Sequence, residues 1–408
     1  MTGPASWEPR YADRAARMKA SEIRELLKLL DQPDIISFAG GIPDPALFPA
    51  EAARDAFADS LKSSEAAGQA LQYSTSEGYA PLRTWITGYM ARLGVSCEPD
   101  NILITSGSQQ GLEFLGKLLL SPGDTALVEA PTYLGALQAF SAYEPRYDTL
   151  RPEQGNRTAA SYAAAAAETG GVVKFAYAVP DFANPSGQTL TLGARERILD
   201  LAEEFDIPVI EDSAYVALRY QGEHVPCIQA LEIKRCGDIE QCRVIYCGTF
   251  SKTIAPGLRV GWICAASAVI RRLVLIKQAS DLHSSSLNQM VMYRLASELF
   301  DNQVANAKAK YAKRRDAMLA ALKRHMPAGT TWSEPEGGLF VWVTLPAHID
   351  AAELLKRAVA EQRVAFVPGG AFFADGSGAN TLRLSFSLAD EAQIEEGIRR
   401  IGKLVAAS

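Results

Sequence analysis

Short apolar, β-branched runs alternate with longer stretches of helical period through the middle of the chain: Ile102 to Thr105, Thr125 to Glu129, Val172 to Val179, Pro208 to Glu211 and Val244 to Cys247. Such alternation predicts an α/β domain, a mainly parallel sheet flanked by helices. Ligands of such sheets sit beyond the carboxyl ends of the strands. Each polar motif of this middle region follows one of the runs. Upstream, Ile23, Leu26, Leu27 and Leu30 recur at helical spacing before the Gly/Pro-rich segment from Phe38 to Pro45. Downstream, a helical stretch from about Leu287 to His325 precedes short strands at Gly338 to Thr344 and Leu382 to Ser387. Both ends are expected to build a second, smaller α+β domain. The division is then residues 1–48 as an N-terminal segment of the small domain, 49–286 as the large domain and 287–408 as the rest of the small one. The Ala-rich piece Ala163 to Ala167 reads as a helix fragment.

Composition narrows the function classes. With 408 residues, 48% of them apolar and 22% charged, the chain has the make-up of a soluble globular protein with a large core. A net charge of −6 offers no broad footprint for nucleic acid or anionic membrane. No uninterrupted apolar run approaches the roughly 20 residues of a membrane span. Met1 to Ser21 lacks the apolar centre of a secretory signal, so a cytoplasmic location is expected. The six cysteines form no CxxC pair and the four histidines no HExxH motif. Reduced structural thiols are expected, and a metal hydrolase is not.

Four segments carry chemistry. In Gly248 to Arg259, Lys252 stands between hydroxyl residues after an apolar run, with Arg259 seven positions on. A buried lysine needs a partner or a lowered pKa, and the latter makes its amine nucleophilic. Hydroxyls and a guanidinium nearby suit a phosphate. Asp212 ends the run Ile210-Glu211-Asp212, where a buried carboxylate needs a partner such as a pyridinium N–H; capping a helix is its bland alternative. Asn184-Pro185-Ser186-Gly187 has turn composition with a free amide. Thr105 to Gly111 opens a helical pattern with small residues, an N-terminus that favours an anion. Each segment taken alone also has an ordinary structural explanation.

Together, in this order, the Gly-Ser-Gln turn, Asn-Pro-x-Gly, Asp-x-x-Tyr and Ser-Lys followed by Arg resemble the class I/II aminotransferases of the fold type I pyridoxal 5′-phosphate (PLP) enzymes. The resemblance runs over essentially the whole chain. It implies that Lys252 carries the cofactor as a covalent imine and later moves the proton at the substrate α-carbon. Asp212 would keep the pyridine nitrogen protonated. Asn184 and Tyr215 would hydrogen-bond the ring oxygen, and Tyr133 would stack on the ring. Ser108, Gln109, Thr249, Ser251 and Arg259 would hold the phosphate, with help from the Gly107 backbone. Tyr73 would reach the site from the neighbouring subunit of a homodimer. Arg383, on an alternating strand whose neighbours are apolar, would take the substrate α-carboxylate, with Asn184 beside it. Gly41 would bring its backbone close to the substrate.

The stretches from Ser21 to Leu27 and Phe38 to Pro43 look most like the 2-aminoadipate, kynurenine and aromatic aminotransferases. That likeness implies a distal-carboxylate role for Arg24, a broad donor range and 2-oxoglutarate as acceptor. Two rivals stay open at this point. A PLP lyase acting on cysteine conjugates could use the same Lys, Asp and Tyr set. A PLP-binding sensor domain of a transcription regulator would carry an added DNA-binding region, for which a small domain beginning near residue 10 leaves no room.

Overall fold

A computed structural model of the protein describes residues 7–17 and 34–408. Its strands in chain order are β1 (Ile36–Ser37), β2 (Ile102–Thr105), β3 (Thr125–Val128), β4 (Arg146–Thr149), β5 (Val173–Ala178), β6 (Val209–Asp212), β7 (Val244–Thr249), β8 (Gly261–Cys264), β9 (Thr331–Trp332), β10 (Phe340–Thr344), β11 (Val364–Ala365), β12 (Val367–Pro368) and β13 (Thr381–Ser385). Seven of them form one sheet in the order β2-β8-β7-β6-β5-β3-β4. Neighbours in it are parallel except around β8, which runs antiparallel to both β2 and β7.

Every residue of β3, β6, β7 and β8 inside the sheet is buried, and so is every residue of β2 at one edge. This is the burial that a sheet flanked by helices on both sides requires, and it explains why the strands read as continuous apolar runs instead of alternating ones. The edge strand β4, Arg146-Tyr147-Asp148-Thr149, is polar and only partly buried, whereas β2 at the opposite edge is covered by the segment at Glu77, whose carbonyl accepts the Ile104 N–H.

A four-stranded antiparallel sheet, β12-β13-β10-β9, builds the second unit. Its register places Arg383 of β13 between Trp342 and Val367. The chain's two ends meet there, since β1 pairs in parallel with β11 and Phe38 enters the core of that unit.

The helix Ser286–His325 joins the two units without a break. Val291, Met292, Leu295, Ala296 and Phe300 on its first half pack into the core beneath the large sheet. Ala307, Tyr311, Met318, Ala321 and Leu322 on its second half pack into the other. The passage from one core to the other therefore falls inside the helix, between Phe300 and Ala307, with no loop at residue 287.

Candidate active site

The carboxyl ends of β6 and β7 lie side by side, with Asp212 opposite Cys247 in the register, and beyond them opens a cavity of about 350 Å³. Its walls include Gly41, Ser108, Gln109, Tyr133, Asn184, Asp212, Tyr215, Thr249, Ser251, Lys252, Arg259 and Arg383. Segments more than 300 residues apart in the chain thus converge on one volume, from residue 41 to residue 383.

Lys252 stands in the turn after β7, and its Nζ donates to the Gly41 carbonyl at 2.9 Å. Burial, reinforced by the Arg383 and Arg259 cations and opposed by Asp212, holds its pKa down to about 8. A weakly held proton makes the amine available as a nucleophile near neutral pH. Gly41 has a second reason to be glycine, because a Cβ there would meet the Phe340 ring at 2.6 Å.

Asp212 caps no helix. Its Oδ2 accepts the Tyr177 hydroxyl at 2.8 Å, while Oδ1 is buried without any partner. Burial pushes its pKa up to about 6, against the Tyr177 hydrogen bond and the Lys252 charge. A half-satisfied buried carboxylate at a cavity wall suits a ligand that brings an N–H of its own.

Arg383 is 2% exposed, with Nη1 donating to Asn184 Oδ1 and Nη2 to the Ala39 carbonyl, each at 2.7 Å. The Phe340 and Phe372 rings flank its guanidinium at 4.3 and 5.2 Å from their centroids. Its Nε is buried and unpaired, and among the described residues no carboxylate lies within ion-pair distance. Burial lowers its pKa to about 10, so it stays cationic at neutral pH.

An anion cradle forms at the other end of the cavity. Gly107, at φ +86°, turns the chain from β2 into the helix Ser108–Leu119. A Cβ on Gly107 would lie 2.3 Å from Arg259 Nη2, so only glycine admits the guanidinium against this helix N-terminus. The first-turn N–H groups of a helix lack intrahelical acceptors and favour an anion. Thr249 and Ser251 complete the cradle, their hydroxyls 3.0 Å apart. Arg259, Ser251 and this N-terminus have the donor chemistry of a phosphate site, and Asp212 Oδ1 that of a pyridinium site. The residues fit PLP.

Some expected residues behave differently in detail. The Gln109 side chain is engaged elsewhere, donating from Nε2 to the Gly135 carbonyl at 2.6 Å and accepting the Tyr133 hydroxyl at 3.4 Å. Tyr133 lines the cavity, and burial pushes its pKa up to about 12. Burial likewise raises that of Tyr215. Tyr73 is not brought to the cavity by its own chain. It is 80% exposed, and its ring meets only that of His283 edge-on, at 5.9 Å. Arg24 lies outside the described residues.

Sequence reasoning missed Tyr177, read only as part of a strand, and the aromatic pair Phe340 and Phe372. A buried tyrosine hydroxyl needs a partner, and that was the available signal. It also missed the fully buried Lys277, which pairs with Asp281 at 3.0 Å and accompanies Gln110 and Ser284 behind the Gly107 turn.

A mainly parallel sheet bearing this cavity at its strand ends defines the fold type I class of PLP enzymes. The chain belongs to the class I and II aminotransferase family, which it matches over residues 33–401. It is 42% identical over 404 residues to the aromatic-amino-acid aminotransferase 1 of Thermococcus litoralis, covering 98% of this chain and 94% of that one. Among solved structures it resembles the α-aminoadipate aminotransferase of Thermus thermophilus, in complex with N-(5′-phosphopyridoxyl)-L-leucine. The TM-score is 0.87 at 40% identity, over 99% of each chain. It also resembles the Pyrococcus horikoshii kynurenine aminotransferase, with a TM-score of 0.89 and 42% identity over 98% of each chain. The protein is thus a PLP-dependent transaminase acting on amino acids and 2-oxo acids.

Proposed function

We propose that the enzyme moves the amino group of acidic, aromatic and aliphatic L-amino acids to a 2-oxo acid, with 2-oxoglutarate as acceptor. The observation that carries the substrate reading is Arg383, a buried cation with an unpaired Nε and no counter-ion among the described residues. Burying a charge unpaired is costly, so an α-carboxylate that binds there restores the balance, and a guanidinium receives it in two parallel hydrogen bonds. Asn184, already bonded to Nη1, fixes the plane of the fork. The breadth of donors is supported by relatives named for aromatic amino acids, for 2-aminoadipate and for kynurenine.

Bound PLP supplies a protonated, electron-withdrawing ring conjugated to the substrate nitrogen, which makes the α-proton removable. The chain's own groups do the rest. Lys252 would hold the cofactor covalently and, once displaced, would move the proton from the substrate α-carbon to the cofactor carbon C4′, its lowered pKa matching a base at neutral pH. Asp212 holds the proton on the ring nitrogen. Asn184 and Tyr215 donate to the ring oxygen, and Tyr133 covers the ring face. Ser108, Thr249, Ser251, Arg259 and the Gly107 turn anchor the phosphate, with Gln109 contributing through its backbone and by bracing Tyr133. Tyr73 serves the partner subunit of a homodimer in the cytoplasm, a reading supported by its exposure beside exposed Leu71 and Leu282. Residues 1–48 and 287–408 form the small domain and 49–286 the large one, except that the first half of the helix Ser286–His325, as far as Phe300, packs into the core of the large domain. Arg24 meets the distal carboxylate of acidic donors.

A screen of amino acids against 2-oxoglutarate, following glutamate, tests this reading. Wild type should use 2-aminoadipate and aromatic donors, and Lys252→Ala none. Arg24→Ala should lose at least about tenfold in kcat/KM on acidic donors alone, as expected for loss of a charge-assisted contact. Pyruvate and ammonia from cysteine conjugates without glutamate, or full activity of Lys252→Ala, would overturn it.

A further inference from the structure

β5 and β6 are adjacent parallel strands in which Tyr177 stands opposite Ile210. Side chains two apart on a strand share a face, so Tyr177 and Asp212 rise from the same side of the sheet. The Tyr177 hydroxyl meets Asp212 Oδ2 at 2.8 Å and leaves Oδ1 as an orphan at the cavity wall. The Tyr177 ring is fully buried and meets Phe140 edge-on, at 5.9 Å and 80°. Its hydroxyl is therefore held in place by packing.

We propose that Tyr177 is a positioning residue for the cofactor, whose hydroxyl locks the Asp212 carboxylate so that Oδ1 is presented to the pyridine nitrogen. The inference rests on the assignment of Asp212 to that nitrogen. A carboxyl group turns easily about its last torsion, and Tyr177 is the one described side chain bonded to it. The hydrogen bond also favours the charged carboxylate over its protonated form, which burial would otherwise prefer. Tyr177 stays a donor throughout, because burial and the adjacent Asp212 charge raise its own pKa well above the usual value.

The test uses the full chain stripped of cofactor and titrated with two probes, PLP and 1-deaza-pyridoxal phosphate, in which carbon replaces the ring nitrogen. Dissociation constants come from equilibrium dialysis. Tyr177→Phe keeps the ring and removes only the hydroxyl. It should weaken PLP by about tenfold, as for loss of a hydrogen bond to a charged group, and leave the deaza probe within about twofold, since that probe has no nitrogen to address. Equal weakening of both probes, whether by altered shape or failed folding, overturns the proposal, and so does no weakening of either. Asp212→Asn separates the two levels. If it discriminates between the probes and Tyr177→Phe does not, the proposal alone falls; if Asp212→Asn does not discriminate, the ring-nitrogen assignment falls with it.

Discussion

Asp212 illustrates how a functional residue can burden the fold that carries it. Its pKa in the fold, about 6, lies above the ordinary 3.8 because burial disfavours the charge. The protonated form is thus the one the fold prefers. That stabilisation is fully present below about pH 4 and is lost as the pH rises through about 6. A shift of about two units corresponds to roughly 3 kcal/mol. Asp212→Asn, neutral at every pH, should therefore stabilise the cofactor-free protein by about 2 to 3 kcal/mol at pH 8 and by almost nothing at pH 4. Urea unfolding at the two pH values reads this, and a gain of equal size at both would mean that packing, and not charge, is responsible. In the sequence, Asp212 taken alone reads more readily as a helix cap and Lys252 taken alone more readily as a surface lysine. What made them legible was their joint order with Asn184, Tyr215 and Arg259. Tyr177 stayed hidden because its hydroxyl is matched across strands, to a residue 35 positions away, which no local pattern records.

Among the elements, the end of the helix Ser267–Ser280 carries the buried ion pair behind the anion cradle. Lys277 is wholly inaccessible, donating to both oxygens of Asp281, to Gln110 and to Ser284, whereas the Asp281 side chain is 29% exposed. Gln110 in turn accepts the Ser106 N–H at 2.8 Å, so the pair braces the turn that leads into Gly107. The exposure difference predicts an asymmetry. Asp281→Asn leaves a buried cation uncompensated and should cost about 3 kcal/mol. Lys277→Met leaves a carboxylate that water reaches and should cost about half that. Thermal or urea unfolding of the two variants decides it, and the reverse order would place the strain on the acid. The apolar strands and the helix from Ser286 to His325 were legible because burial on two faces, or a long 3.6-residue period, writes itself into the sequence. β4 was not, being a polar edge, and neither was β8, since a run of four apolar residues says nothing of strand direction.

At the scale of the molecule, Tyr73 is the piece that one chain leaves unused. If it completes the partner's site, two crippled proteins should repair each other. Lys252→Ala retains Tyr73 and Tyr73→Phe retains Lys252, so a mixed dimer contains one intact site. Random reassortment of equal amounts should restore about a quarter of wild-type activity, and the mixture remaining at the average of its components would assign Tyr73 to its own chain. The meeting of the two chain ends has a different consequence. Ile36 finds its partner at Val364, near the other end of the chain, and translation proceeds at roughly 5 to 20 residues per second. The segment that supplies the Gly41 carbonyl to Lys252 must therefore wait on the ribosome for tens of seconds. A nascent chain can finish its large sheet and still own no working site until β11 and β13 have emerged, so catalytic competence lags well behind the folding of the larger sheet.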